Sequence, residues 1–426
     1  MKRVILIGLV FFASCYSNIK KQQDLLLKYT AVPKCKEDEV LVCKKIEVRE
    51  ADIVKADAKN INFEFPLDES FKKALEMNIK YLTKLDREIK YKFADRIIDK
   101  NTLVLSALKL KDIVESSTNA DEFRKKVIEN FDFYELVKGS EAVTFSSYYE
   151  PIFEASFKKD EIYRFPIYRK PDDMVEVNLE DFDADKYKGQ KLTGRLLGTK
   201  MLPYYSREEI DFDGILSGKG YEIAYLKDIT DLLDLHTQGS GILKIREGGY
   251  KRARFAATNS LKFKGWMSTL LENGYIERKG AIGEDKTFYD RAKDFINKNP
   301  QLWRQIISQN KRYVFFYLDD LKSFDEGPIG SYGLSLVAHR SVAVDNSLIP
   351  LGTVAFVSLE LPDIDESLNF KGFKPSNRFV FCHDTGGAIK GARVDYFAGT
   401  GDKAKKFAYS VWKKGNFYLM VAKEKI

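Results

Sequence analysis

Asp384-Thr385-Gly386-Gly387-Ala388-Ile389-Lys390-Gly391-Ala392-Arg393-Val394-Asp395-Tyr396-Phe397 is a glycine-rich turn bracketed by two carboxylates and entered from the apolar run Phe379-Val380-Phe381-Cys382. Gly386, Gly387 and Gly391 permit positive φ and a close approach of backbone to a ligand, while Ala388-Ile389 are apolar enough to pack beneath. An aspartate beside Tyr396 and Phe397, partly shielded from water, would hold its proton towards neutrality. Protonating a leaving oxygen requires that. The residues alone also admit an Asx-type turn at Asp384 and a solvated Asp395.

On either side of this turn the texture is β. Between Tyr313 and the C-terminus the pieces L-S-L-V, S-V-A-V, T-V-A-F-V-S-L, R-F-V-F-C and N-F-Y-L-M-V are short and evenly spaced, which predicts a small closed barrel. Strands are also expected from Val143, in V-T-F-S-S-Y-Y-E-P-I-F-E-A and then Y-R-F-P-I-Y-R, and across a glycine-punctuated stretch at 186–256. Residues 66–140 read as helical: Phe71, Leu75, Ile79, Leu82, Leu85 and Ile89 recur at three- and four-residue steps behind Asp68 and Ser70, and Phe123, Val127, Ile128 and Phe131 repeat the pattern after Asn119. Further helical segments are expected at 263–274 and 287–310, the last interrupted at Asn299-Pro300. The predicted class is mainly β with helices, α+β.

The 426 residues are 44% hydrophobic and 31% charged, so the chain can bury a core and is not of disordered or collagenous composition. A net charge of +7 without a block of like charges rules out no partner; it is weak evidence for nucleic acid, which is not an expected partner, and agrees better with an anionic polymer. Met1-Lys2-Arg3 followed by an apolar run to Phe12-Ala13-Ser14-Cys15 is an export-signal pattern whose end resembles the bacterial lipobox, with Phe12 where leucine is usual. Acylation at Cys15 is the expectation, with ordinary signal cleavage as the alternative. An acylated chain would be anchored to a membrane face without spanning it. Cys35 and Cys43 are close enough for a hairpin disulfide or equally for two free thiols, leaving Cys382 over. His236, His339 and His383 are scattered and no C-x-x-C occurs, so no metal site is expected.

The aspartate motif, preceded by Arg340-Ser341-Val342-Ala343-Val344-Asp345 and Ile349-Pro350-Leu351-Gly352-Thr353, resembles the three-aspartate domain of the membrane-bound lytic murein transglycosylase A family. Phe145-Ser146-Ser147-Tyr148-Tyr149-Glu150-Pro151, Phe165-Pro166-Ile167-Tyr168-Arg169, Ser206-Arg207-Glu208-Glu209-Ile210, Gln238-Gly239-Ser240-Gly241 and Tyr313-Val314-Phe315-Phe316 follow in the family's order. The resemblance implies a double-psi β-barrel interrupted by an inserted second β domain, with a glycan strand in the groove between them. It divides the chain into a signal (1–15), a tether with a small strand pair (16–65), a first barrel part (66–148), an insert (149–311) and the barrel proper (312–426).

The family's single catalytic acid maps onto Asp395, with Asp384 as a supporting carboxylate and Asp345 as a turn residue. The implied reaction cleaves the β-1,4 bond between N-acetylmuramic acid and N-acetylglucosamine and closes a 1,6-anhydro ring, Asp395 serving as acid and then base. The groove residues would be Ser146, Tyr148, Tyr149, Gln238, Gly239, Ser240, Gly241, Asn259, Gly386, Gly387 and Lys390. No cofactor is implied; the partners are peptidoglycan glycan strands and, through the lipid, the periplasmic face of an outer membrane. Ser147 stands at a family glycine, and Arg254-Phe255-Ala256-Ala257-Thr258-Asn259-Ser260 loses two more glycines while keeping Asn259. These departures leave room for a non-catalytic peptidoglycan-binding lipoprotein as the alternative. An aspartic peptidase would need a second D-T-G loop, and an Asp384/Asp395 hydrolase pair would release reducing muramic ends.

Overall fold

The computed structural model describes residues 52–59, 61–183, 186–187, 191–277 and 288–423. The signal segment, Cys15, Cys35 and Cys43 lie outside the described residues. In chain order the first elements are strand Asp52–Ala56 (β1), helix Glu69–Lys84 (α1), strands Lys90–Phe93 (β2) and Arg96–Asp99 (β3), helices Lys100–Ser116 (α2) and Ala120–Asn130 (α3), and strands Phe131–Val137 (β4) and Val143–Glu150 (β5). Next come Ile152–Ser156 (β6), Phe165–Tyr168 (β7), Met174–Asn178 (β8), Lys191–Leu197 (β9), Lys200–Pro203 (β10), Arg207–Asp211 (α4), Glu222–Leu226 (β11), Ile229–Gln238 (α5), Ser240–Ile245 (β12) and Tyr250–Thr258 (β13). Helices Trp266–Glu272 (α6), Phe288–Lys298 (α7) and Trp303–Ile307 (α8) precede strand Val314–Asp320 (β14). The C-terminal part holds Ser341–Ala343 (β15), Val354–Ile364 (β16), Phe370–Asp384 (β17), Arg393–Thr400 (β18), Gly401–Ser410 (α9) and Trp412–Ala422 (β19).

The fold is α+β. Its largest sheet runs β1-β4-β19-β16-β17-β15-β18-β5, and an additional β19–β5 pairing joins the sixth ring strand back to the first. Strands β19, β16, β17, β15, β18 and β5 thus form a closed ring, which removes the open edges that an unpaired sheet would expose. Two of its pairings, β15 with β17 and β18 with β5, are parallel. Its interior is filled by alternate residues of these strands, including Phe145, Val394, Tyr396, Phe379, Phe381, Phe417 and Leu419. The same alternation turns Ser146 and Asp395 to the other face. A second sheet, β14-β13-β12-β6-β11-β7, takes its strands from the chain between β5 and β15, and β8, β9 and β10 make a small third sheet.

Helix α1 starts where Asp68 Oδ1 accepts the amide of Phe71 at 2.9 Å, and α3 where Asn119 Oδ1 accepts that of Glu122 at 2.9 Å. Their apolar stripes supply Phe71, Leu75, Leu82, Phe123 and Val127 to the barrel core, each such side chain contributing roughly 1.5–3 kcal/mol by leaving water. The structure corrects several expectations. Residues 66–140 are not helical throughout: the run breaks at Leu85, and Lys90–Phe93 pairs with Arg96–Asp99 as a hairpin. Phe131 begins strand β4 instead of closing a helix. Residues 52–56, expected within the tether segment, pair with β4 in the barrel sheet, because Ile53 reaches its core. Tyr313-Val314-Phe315-Phe316-Tyr317, expected to open the barrel at 312, pairs with β13 in the second sheet, where Val314 and Phe316 complete a separate apolar cluster.

Candidate active site

Asp395 and Ser146 are direct partners on the parallel pair β18/β5, and Phe397 faces Tyr148 two residues on. Period-two alternation therefore puts four side chains on one face. The Ser146 hydroxyl donates to Asp395 Oδ1 at 2.6 Å and accepts from Arg393 Nε at 3.1 Å and Nη2 at 3.0 Å. Its orientation is thereby set, with the proton aimed at the carboxylate. Burial pushes the Asp395 carboxyl up to about 6. The Ser146 hydrogen bond and the Arg393 cation pull it down, and the Asp384 charge pushes it up again.

Asp384 ends β17 and is half-buried. Its Oδ1 accepts the Ser331 amide at 2.8 Å, the Ser331 hydroxyl at 2.7 Å and the Thr385 amide at 2.9 Å, and its Oδ2 accepts the Tyr148 hydroxyl at 2.8 Å. Both oxygens are committed to protein donors. Burial nevertheless holds this carboxyl above the ordinary aspartate range against those bonds. Ser331 was not anticipated. It is delivered by a loop in which Gly330 packs so closely on Leu336 and the His383 carbonyl that a Cβ would collide with both. Tyr148, tilted against Phe397 with ring centroids 5.2 Å apart, is locked by this network, and its hydroxyl is held protonated by burial and by the Asp384 charge.

In the intervening turn Gly386 is half-buried and Gly387 exposed. A side chain at Gly387 would meet the guanidinium of Arg312, which crosses from the second sheet's side and bonds Thr258 Oγ1 at 3.3 Å. Lys390 is exposed and lies 3.6 Å from Asp345. Asp345 in turn accepts Ser347 N and Oγ on one oxygen and the Gly391 amide at 2.8 Å on the other, so it fastens the turn's exit.

Other expected groove residues sit elsewhere. Tyr149 is 2% exposed, and with Tyr289 and Tyr409 it donates to the buried carboxylate of Asp234 at 2.9–3.0 Å. It joins the barrel to α5 and α7 in place of lining a groove, because alternation turns it away from Tyr148. Asn259 is fully buried: its amide donates to the Tyr205 and Lys311 carbonyls at 2.9 Å, and its Oδ1 accepts Tyr313 N at 2.9 Å and Leu261 N at 3.2 Å, leaving nothing for a ligand. Gln238 Oε1 accepts Tyr149 N at 3.2 Å, so the turn Gln238-Gly239-Ser240-Gly241 abuts β5. Gly239 ends α5 at φ 79°, Ser240 is buried, and Gly241 packs on Leu235, Phe153 and Pro151.

Ser146→Ala removes a hydrogen bond that favours the charged form of Asp395. The expected result is a fall of about tenfold in catalytic efficiency at pH 5, from lost orientation, with the alkaline limb of the pH–rate profile displaced to higher pH. A limb displaced to lower pH would contradict this arrangement.

Residues 144–317 match the MltA specific insert domain, and residues 340–421 match the 3D domain. Over 283 residues the chain is 27% identical to membrane-bound lytic murein transglycosylase A of Vibrio cholerae, a match spanning 64% of this chain and 65% of that protein. A membrane-bound lytic murein transglycosylase from Agrobacterium tumefaciens superposes with a TM-score of 0.66 at 24% identity, covering 87% of this chain and 98% of that one. The Escherichia coli MltA structure with bound chitohexaose gives 0.60 at 20% identity, with 87% and 98% covered. With both domain matches in order along one chain and the same fold in solved relatives, this chain belongs to the membrane-bound lytic murein transglycosylase A family.

Proposed function

We propose that the protein is a peptidoglycan lytic transglycosylase in which Asp395 is both acid and base. The observation that carries the reading is the Asp395–Ser146 pair: a carboxyl raised to about 6 by burial, held at 2.6 Å by a hydroxyl oriented from Arg393. At mildly acidic pH the proton is on Asp395 and passes to the glycosidic oxygen as positive charge builds at the anomeric carbon. The carboxylate so formed takes the proton of the muramoyl C6 hydroxyl, which attacks the same carbon and closes the anhydro ring. Glycosidases that recruit water or form a covalent intermediate need a second carboxylate; an internal nucleophile does not, and its proximity lowers the barrier. Asp384, with both oxygens engaged by protein donors, acts as a positioning residue for Tyr148 and Ser331 and as a fixed negative neighbour. The ligand named in the E. coli structure, a chain of N-acetylglucosamine units, supports a saccharide as substrate. We further read the six-stranded ring as the double-psi barrel, Cys15 as lipid-modified, and the mature protein as anchored to the outer membrane and facing the periplasm.

Digestion of purified sacculi tests the activity. Soluble muropeptides lighter by one water than the hydrolysis product are expected, formed fastest below pH 6 and falling tenfold per unit well above it. Reducing ends would establish hydrolysis, and intact sacculi that retain bound protein would establish a binding module.

A further inference from the structure

We propose that the indole of Trp412 is a stacking platform for one pyranose ring of the bound glycan, forming a subsite next to the acid. The inference rests on reading this face as a saccharide site. Trp412 is the direct partner of Ser146 on the antiparallel pair β19/β5, and Ser146 is the direct partner of Asp395 on β5/β18. Asp395, Ser146 and Trp412 therefore form one row across three adjacent strands. At the usual strand spacing the outer two backbones are roughly 10 Å apart, and directly opposed residues share a face.

Trp412 is 59% exposed, whereas Trp266 is buried and Trp303 half-buried. The exposed ring contributes little to the core; its place in the Asp395–Ser146 row, braced by Arg393, is what points to a ligand. The guanidinium of Arg393 stands 5.2 Å from its ring centroid, while Nε and Nη2 of the same group bond Ser146 Oγ and Nη1 bonds the Ala388 carbonyl at 3.3 Å. Tied to three points, Arg393 braces the indole by a cation–π contact and reduces the rotamer freedom that binding would otherwise remove. A pyranose presents an apolar C–H face and polar edges. The free part of the indole suits the first, and the hydroxyl and guanidinium beside it suit the second.

The test uses Asp395→Asn protein, in which bound sugar is not consumed, titrated calorimetrically with chitohexaose. Adding Trp412→Ala is expected to weaken binding roughly tenfold or more, whereas Trp412→Tyr, which restores a flat ring, should stay within about threefold. In the unsubstituted acid background Trp412→Ala should raise KM with little change in kcat. Equal affinity of the Ala and Trp forms would overturn the platform while leaving the lyase reading intact. Failure of Asp395→Asn itself to bind either chitohexaose or murein glycan would overturn both.

Discussion

Asp395→Asn is expected to lose at least about 10³-fold in turnover of murein, because general acid catalysis is worth ~10²–10⁴-fold and the same carboxylate must also act as the base. The variant should at the same time be more stable than the parent at pH 7–8. Burial raises this carboxyl from 3.8 to about 6, so the folded protein holds the proton more tightly than the unfolded chain does. A raised carboxyl contributes its full stability below the unfolded value and loses it as pH rises through about 6. Above that window the parent keeps a charge that the fold disfavours, and an amide of the same shape removes the cost. The gain is about 1–3 kcal/mol, measurable by denaturant titration at pH 8 and absent at pH 3.5. An inactive and destabilised variant would mean that the side chain supports the fold. A variant that turns over normally would place the acid elsewhere. Activity and stability moving in opposite directions is the signature of a group kept for its chemistry.

The proposed acid is legible in sequence because it lies in a short segment of unusual composition, four residues from the turn's last glycine and followed by aromatics that withdraw it from water. Its partner Ser146 is legible for a similar reason: a strand of period two ties it to Tyr148, and both residues reach the same face. Tyr149 and Asn259 are misread because a tyrosine hydroxyl or an asparagine amide offers the same donors to backbone as to sugar. Only the fold decides which it meets. One meets Asp234, 85 residues away in the chain, and the other the carbonyls of Tyr205 and Lys311. The Lys90–Asp99 hairpin is lost behind Ile89, which extends a helical stripe by one step after the helix has ended at Lys84. Period-two alternation in Lys90-Tyr91-Lys92-Phe93 was the available signal. Ser331 and Trp412 carry no local mark at all, since a loop serine and a single tryptophan acquire meaning only from the strands set beside them.

Arg252→Ala is expected to cost about 3–5 kcal/mol of stability, the penalty for breaking a buried ion pair by removing one partner. Arg252 lies on β13 of the second sheet and Glu150 at the end of β5 in the barrel, and both are fully buried. Nη2 donates to Oε2 at 3.1 Å, and Nε stands 2.8 Å from Oε1 as an ion contact. Thr400 Oγ1 adds a bond to Oε2 at 3.1 Å, and Nη2 also donates to the Glu326 carbonyl at 2.5 Å. Deleting the guanidinium strands a carboxylate that burial already pushes above its ordinary range, together with the Glu326 carbonyl, which loses its donor. The same pair joins the second sheet to the barrel sheet that carries Asp395, four residues along β5 from Ser146. Its loss should therefore also raise KM for glycan as the second sheet loosens against the barrel. Replacing both partners, as in Glu150→Leu with Arg252→Met, separates the two consequences. An apolar pair of similar volume should recover most of the stability, since solvating two charges costs more than their attraction returns. The KM defect should persist wherever the ion pair's own geometry, and not burial alone, sets the angle between the sheets. Recovery of both stability and KM in the double variant would show that any well-packed contact at this position suffices to hold the second sheet against the barrel.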